Sequence, residues 1–104
     1  MSSKAHRVSE NEVAFAIVQI AKTKPNDTAT FDQCREEVPD HLNLSAADLA
    51  QSPTRPNEKV WEQQIRNIQS HHEQAGNYIC EGYLIHVPKT GYRVTDAGKN
   101  RVRP

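Results

Sequence analysis

The sequence YLIHV-PKTG-YRVT, residues 83–95, decides the predicted fold. The segments 83–87 and 92–95 are rich in aromatic and β-branched residues, which favour strands. Between them, Pro88-Lys89-Thr90-Gly91 supplies the residue types that form turns. The stretch therefore predicts a β-hairpin, and it is the point where the hydrophobic period changes from 3.6 to 2.

The chain before the hairpin has helical patterning. Capping boxes, each a Ser or Thr followed three residues later by an acid or amide, begin at Ser9, Thr30 and Ser45. Asn57 and Gly76 bracket the longest amphipathic run as its expected N-cap and C′ residues. The predicted helices are Glu10–Lys22, Phe31–Val38, Ala46–Gln51 and Glu58–Gln74.

These elements fit one domain, as expected for a chain of 104 residues. We expect a flexible tail at residues 1–8, a folded domain at 9–100 and a frayed end at 101–104. The fold class is α+β and mostly α, with three to four helices followed by a two-stranded hairpin. That order is typical of a winged helix-turn-helix domain.

Composition excludes several functional classes. No run of apolar residues approaches the roughly 20 needed to span a membrane, and the N-terminus lacks the apolar region of a secretory signal. Two isolated cysteines, Cys34 and Cys80, form no disulfide framework, which favours a reducing, cytoplasmic location. The formal net charge is zero, but acidic residues dominate before residue 53 and basic residues after it. Such a polarised chain can present one basic face to a polyanion.

The longest predicted helix has two distinct faces. At about 100° per residue, the inner face carries Trp61, Ile65, Ile68 and His72, whereas Glu62 and Glu73 fall on one flank. The opposite stripe carries polar side chains that bond base edges or phosphates, namely Lys59, Gln63, Arg66, Asn67, Ser70 and Gln74.

Except for Gln74, we predict that these residues bind DNA, together with His71 on the neighbouring flank and with Lys89, Thr90 and Arg93 of the hairpin. A solvated helix face and an ordinary polar turn are the alternative interpretations of the same residues. No heptad repeat indicates a dimer, so the oligomeric state is left open.

Three segments of the second half carry a family resemblance. They are Trp61 with Ile65-Arg66-Asn67 and Ser70-His71, then Glu81-Gly82-Tyr83-Leu84, then Gly91-Tyr92-Arg93-Val94-Thr95-Asp96-Ala97-Gly98. Together they resemble the winged-helix module at the N-terminus of Mrr-type restriction endonucleases, and the winged-helix domains that accompany HNH-type endonucleases. The resemblance implies double-stranded DNA binding in a restriction or regulatory system.

No nuclease site accompanies the resemblance. Pro39-Asp40 is not followed by the Glu-x-Lys or Asp-x-Lys that would complete a carboxylate–lysine metal site. A nuclease, if the system has one, is expected as a separate partner chain. Other motifs of catalysis are also missing from the sequence, so we expect no enzyme activity.

Metal and cofactor sites are not expected either. The adjacent His71 and His72 point about 100° apart on a helix and do not chelate one ion together. Cys34 on an apolar helix face is most simply a small core residue. The second functional hypothesis is therefore not an enzyme but a protein-docking module, which would expose an apolar patch around Tyr78, Tyr83 or Tyr92.

Overall fold

The computed structural model describes residues 7–102. That part of the chain contains five α-helices and one three-stranded antiparallel sheet, which confirms the α+β class. Short 3₁₀ helices lie at Pro25–Asp27, Val38–Asp40 and Val60–Glu62. The main elements are α1 Glu10–Ala21, β1 Thr28–Thr30, α2 Phe31–Glu37, α3 Ala46–Leu49, α4 Gln63–Ser70, β2 Leu84–Val87, β3 Gly91–Val94 and α5 Asp96–Arg101.

The three predicted capping boxes are confirmed, and they explain where α1, α2 and α3 begin. Ser9, Thr30 and Ser45 each accept a hydrogen bond from the backbone N–H three residues later, and each receives one back from that residue's side chain. Each box satisfies two backbone donors that a helix start otherwise leaves unpaired.

The predicted hairpin is also confirmed, and β3 is the central strand of the sheet. The strand order is β1-β3-β2, with both pairs antiparallel. Position 91 of this central strand requires glycine, because a Cβ there would lie 1.9 Å from the carbonyl oxygen of Ala29 in β1. Lys89 forms the turn with a positive φ of 63°, and the N–H of Phe31 donates to the carbonyl of Thr90 at 2.9 Å. The hairpin tip is thereby joined to the start of α2.

The hydrophobic core is built around α1. Val13, Ile17 and Val18 of this helix are fully buried, and the helix contacts α2, α4, α5, β1 and β3. Trp61, Ile65 and Ile68 are buried as predicted, and so is Cys34 of α2. No helix within residues 7–102 is long and apolar enough to cross a membrane.

The predicted helix Glu58–Gln74 is wrong at both ends. Its α-helical part is only Gln63–Ser70, preceded by the 3₁₀ helix Val60–Glu62. The chain before it pairs with an earlier segment instead, because Ser52 N–H donates to the Glu58 carbonyl at 2.8 Å and Val60 N–H donates to the Ala50 carbonyl at 2.9 Å. Backbone groups used in this bridge are not available to a helix. The same bridge ends α3 at Leu49 rather than at Gln51.

Asn57 and His72 differ correspondingly from their predicted roles. Asn57 has a φ of 65° and lies in a turn, so it is not an N-cap. His72 follows the end of α4 and is exposed rather than on the core side. Asn77, in contrast, is buried after α4 and donates from Nδ2 to the Ile68 carbonyl at 2.9 Å.

The ends of the chain are partly outside the described residues. Of the predicted tail, residues 1–6 are outside them, while Val8 is buried and its N–H donates to Oδ1 of Asp48 at 3.0 Å. At the other end, residues 103 and 104 are outside them, whereas Arg101 belongs to α5 and Val102 is half-buried against the core. Described residues on both sides of 9–100 therefore contact the folded domain.

Candidate nucleic-acid interface

The outward face of α4 carries four of the nine predicted DNA-binding residues. Ile65 and Ile68 pack into the core, which directs the opposite side of this eight-residue helix towards solvent. Lys59 precedes the helix and is exposed. The predicted residues on α4 itself are Gln63, Arg66, Asn67 and Ser70, of which Ser70 is the most exposed.

Arg66 is paired with an acid that the helix projection did not place beside it. Nη1 of Arg66 donates to Oε2 of Glu58 at 3.0 Å, and Nη2 donates to Oε1 of the same carboxylate. The hydrogen-bonded carboxylate raises the pKa of the Arg66 guanidinium. The two side chains are 38% and 20% exposed. Because residues 58–60 bridge to residues 50–52, Glu58 reaches across to α4 instead of continuing it.

The amides of α4 also have protein partners. Nε2 of Gln63 donates to the hydroxyl of Ser52 at 2.6 Å and to that of Thr54 at 3.3 Å. Nδ2 of Asn67 donates to Oε1 of Gln64 at 3.1 Å. These bonds orient the amides, and each side chain keeps its amide oxygen as an acceptor.

His71 lies apart from this face. Its Nδ1 is 2.6 Å from Oε1 of Glu10 at the start of α1, and the other oxygen of Glu10 accepts from Nδ2 of Asn77 at 2.9 Å. His71 therefore connects the end of α4 to α1. Nothing in the local sequence indicates this contact, because the two residues are 61 positions apart.

The hairpin presents cations with no ionic partner. Lys89 and Thr90 are exposed at its tip, and Arg93 is exposed on the outer face of β3, across from Thr28 and Ile85. Within residues 7–102, neither Lys89 nor Arg93 has an acidic side chain within salt-bridge distance. The positive charge of the hairpin is thus free to act on a ligand.

A cleft of about 330 Å³ separates α4 from α2 and the hairpin. The rings of Phe31, His86 and Tyr92 form an aromatic cluster on one side, with Phe31 and Tyr92 edge-to-face at 5.6 Å. Arg66 and Glu58 lie on the other side. The cleft therefore has one aromatic and one charged wall.

Tyr92 connects the two parts of the candidate interface. The ring is fully buried, and its hydroxyl donates to the carbonyl of Ile65 in α4 at 2.5 Å. Burial raises the pKa of this phenol, while the backbone N–H of Gln69 opposes that rise. The bond fixes β3, and with it the hairpin, against α4.

The three tyrosines that a protein-docking surface was expected to expose are buried or half-buried. Tyr78 and Tyr92 are 5% and 0% exposed, and Tyr83 is half-buried with the guanidinium of Arg101 5.3 Å from its ring centroid. The three tyrosines therefore form no exposed apolar patch. The exposed large apolar side chains of the described chain lie on separate elements, at Phe15, Leu49 and Ile85.

Neither a metal cluster nor a similar known protein identifies the site. Among residues 7–102, no group of three or more His, Cys, Asp or Glu side chains is placed to hold a metal ion. No family model, no curated protein and no solved structure matches the chain. The resemblance to Mrr-type winged-helix modules stays a prediction from the sequence, and the functional argument depends on topology and charge.

Proposed function

We propose that this protein is a winged helix-turn-helix domain that binds double-stranded DNA, with α4 in the major groove and the β2–β3 hairpin as the wing on the backbone. The topology supports this proposal, because the order α1-β1-α2-α3-α4-β2-β3-α5, with β3 between β1 and β2 in the sheet, is compatible with a winged helix. The observation that carries it is the pair of exposed cations, Lys89 and Arg93, which have no salt bridge within residues 7–102 and lie on the hairpin that Tyr92 fixes beside α4.

The dimensions of α4 suit a major groove. An α-helix with its side chains is about 10–12 Å in diameter, which fits a groove about 12 Å wide, and the eight residues of α4 form about two turns at 3.6 residues per turn. Its outward side chains, Gln63, Asn67 and Ser70, are amides and a hydroxyl, which bond base edges and phosphates. In this arrangement the side chains of α4 would determine which DNA sequence is preferred, and the wing would position α4 on the DNA.

The charge distribution predicts moderate, salt-sensitive affinity. Three exposed cations without a salt bridge in the described chain lie in the proposed interface: Lys59, Lys89 and Arg93. If each neutralises one phosphate, log K falls with log salt at a slope of about −2.7. Affinity for DNA would then fall about 40-fold between 50 and 200 mM salt.

The test is fluorescence anisotropy of the chain with a labelled duplex of about two helical turns, titrated over that range of salt. In the Lys89→Ala/Arg93→Ala double variant the slope should fall to about −0.9, so that affinity drops only about 3.5-fold over the same range. The control is Lys22→Ala/Arg101→Ala, which removes the same charge outside α4 and the hairpin and should keep the wild-type slope.

Two results would overturn the proposal. One is no binding of the wild type at 50 mM salt, where electrostatic attraction is strong, and this result would favour the docking module. The other is an unchanged slope in the Lys89→Ala/Arg93→Ala variant, because the wing would then contact no phosphate.

A further inference from the structure

The cation at the middle of the outward face of α4 is already bound by an internal carboxylate. Both nitrogens at the end of the Arg66 guanidinium donate to Glu58, one to each carboxylate oxygen. A two-bond pair of this kind is among the strong hydrogen-bonded arrangements in proteins. Arg66 differs in this respect from Lys89 and Arg93, which have no acidic partner in the described chain.

From this geometry we infer that Glu58 determines which DNA contacts Arg66 makes: it holds the guanidinium until a ligand group with two adjacent acceptors replaces both carboxylate oxygens. The inference rests on the proposed DNA binding. The ligand chemistry is a two-acceptor edge, which DNA offers as two oxygens of a phosphate or as O6 and N7 of guanine.

Replacement of Glu58 at the Arg66 guanidinium favours DNA groups with two adjacent acceptors. A phosphate or a guanine edge replaces both of the bonds that Arg66 gives up, whereas a single acceptor leaves one guanidinium donor unpaired, which costs free energy in a closed interface. The displaced carboxylate of Glu58 must also remain near the DNA backbone, where like charges repel. Weak or single-acceptor contacts therefore do not release Arg66.

Glu58 can be changed without removing another side-chain contact. Within residues 7–102, its side chain bonds only to Arg66, while its backbone carbonyl accepts from Ser52 N–H at 2.8 Å and is unaffected by substitution. Glu62 provides a matched control. It lies in the same cleft with the same charge, but its Oε1 accepts from the backbone N–H of Lys59 at 2.6 Å instead of from Arg66.

The experiment measures duplex affinity for four proteins besides the wild type: Glu58→Gln, Arg66→Ala, the double variant and Glu62→Gln. We expect Glu58→Gln to bind at least about fivefold tighter, since an arginine contact to DNA is worth that or more. Arg66→Ala alone should not tighten binding, because it leaves the Glu58 carboxylate without its partner beside the DNA, and the double variant should lose the gain. Glu62→Gln should give less than half of the gain.

Sequence and salt distinguish the two sources of the two-acceptor edge. If Arg66 takes a phosphate, Glu58→Gln tightens binding to all duplexes equally and steepens the salt slope by about 0.9. If it takes a guanine edge, the gain is confined to duplexes with guanine in the contacted step and the slope is unchanged.

Several outcomes would overturn the inference while leaving DNA binding itself in place. They are no gain in Glu58→Gln, a gain that persists when Arg66 is also alanine, or an equal gain in Glu62→Gln, which would indicate simple charge removal. If no variant binds any duplex, the proposed function fails as well. The guanidinium ¹⁵N resonance of Arg66 in free protein gives a check that needs no DNA, because it must shift in Glu58→Gln and stay in place in Glu62→Gln.

Discussion

Replacing Tyr92 by Phe tests whether a single hydrogen bond fixes the hairpin against α4. The substitution keeps the fully buried ring and removes only the hydroxyl that donates to the Ile65 carbonyl at 2.5 Å. Loss of an intramolecular hydrogen bond costs about 0.5–1.5 kcal/mol, and the buried position of this one favours the upper end. Taking about 1.5 kcal/mol, the melting temperature should fall by about 6–12 °C in a domain of this size.

Urea unfolding followed by the fluorescence of Trp61, which is buried, measures the change in the free energy of unfolding. The control is Tyr83→Phe, because the hydroxyl of this half-buried tyrosine makes no hydrogen bond within residues 7–102. We expect the control to change stability by less than about 0.5 kcal/mol, as for other surface substitutions. Equal stabilities of the two variants would refute the role assigned to the Tyr92 hydroxyl.

Two further predictions concern the sheet and the thiols. Gly91→Ala places a Cβ 1.9 Å from the Ala29 carbonyl oxygen, so we expect a loss of at least about 2 kcal/mol from overpacking in the same urea assay. Gly82→Ala meets open space at a φ of +85° and should cost only about 1 kcal/mol; an equal or larger loss there would contradict the close approach at Gly91. Burial raises the pKa of Cys34 to about 12, so at pH 8 Ellman's reagent should titrate only the exposed Cys80 in the folded protein and both thiols in urea. Fast reaction of two thiols in the folded protein would contradict the buried position of Cys34.

Elements coded by adjacent residues could be predicted from the sequence. The capping boxes at Ser9, Thr30 and Ser45 and the hairpin around Pro88–Gly91 depend on contacts within a few positions, and each was found where the pattern placed it. Trp61, Ile65 and Ile68 were assigned to the core correctly because helical spacing alone determines which face is apolar.

The length of α4 could not be predicted from such local patterns. Residues 58–62 have good helical patterning, but the backbone of residues 58–60 bonds to residues 50–52 across the intervening loop. Propensity is a weak preference of less than about 1 kcal/mol per residue, and a tertiary bridge overrides it. The sequence offers one hint: Pro53 and Pro56 mark the loop that brings the two segments together.

The candidate site shows the same contrast between local patterns, which could be predicted, and long-range contacts, which could not. Sequence patterning identified the polar side chains of α4 and the hairpin, but not their partners. His71 bonds to Glu10 and Gln63 bonds to Ser52, contacts that span 61 and 11 positions. A helix projection shows which way a side chain points, but only the folded chain shows what it meets there.

These partners change the roles expected within the interface. From the sequence, Arg66 on α4 and the cations of the hairpin are predicted to bind DNA alike. In the folded chain they differ, because Glu58 neutralises Arg66, whereas Lys89 and Arg93 have no salt bridge within residues 7–102. First contact with a polyanion is therefore expected at the hairpin, since long-range attraction acts through charges that are not already compensated. Arg66 can contribute only after the hairpin has brought α4 close enough for a two-acceptor edge to displace Glu58. Mutations in the wing should therefore weaken binding to every sequence. Mutations at Glu58 should act on every sequence if Arg66 takes a phosphate, and only on those with guanine in the contacted step if it takes a guanine edge.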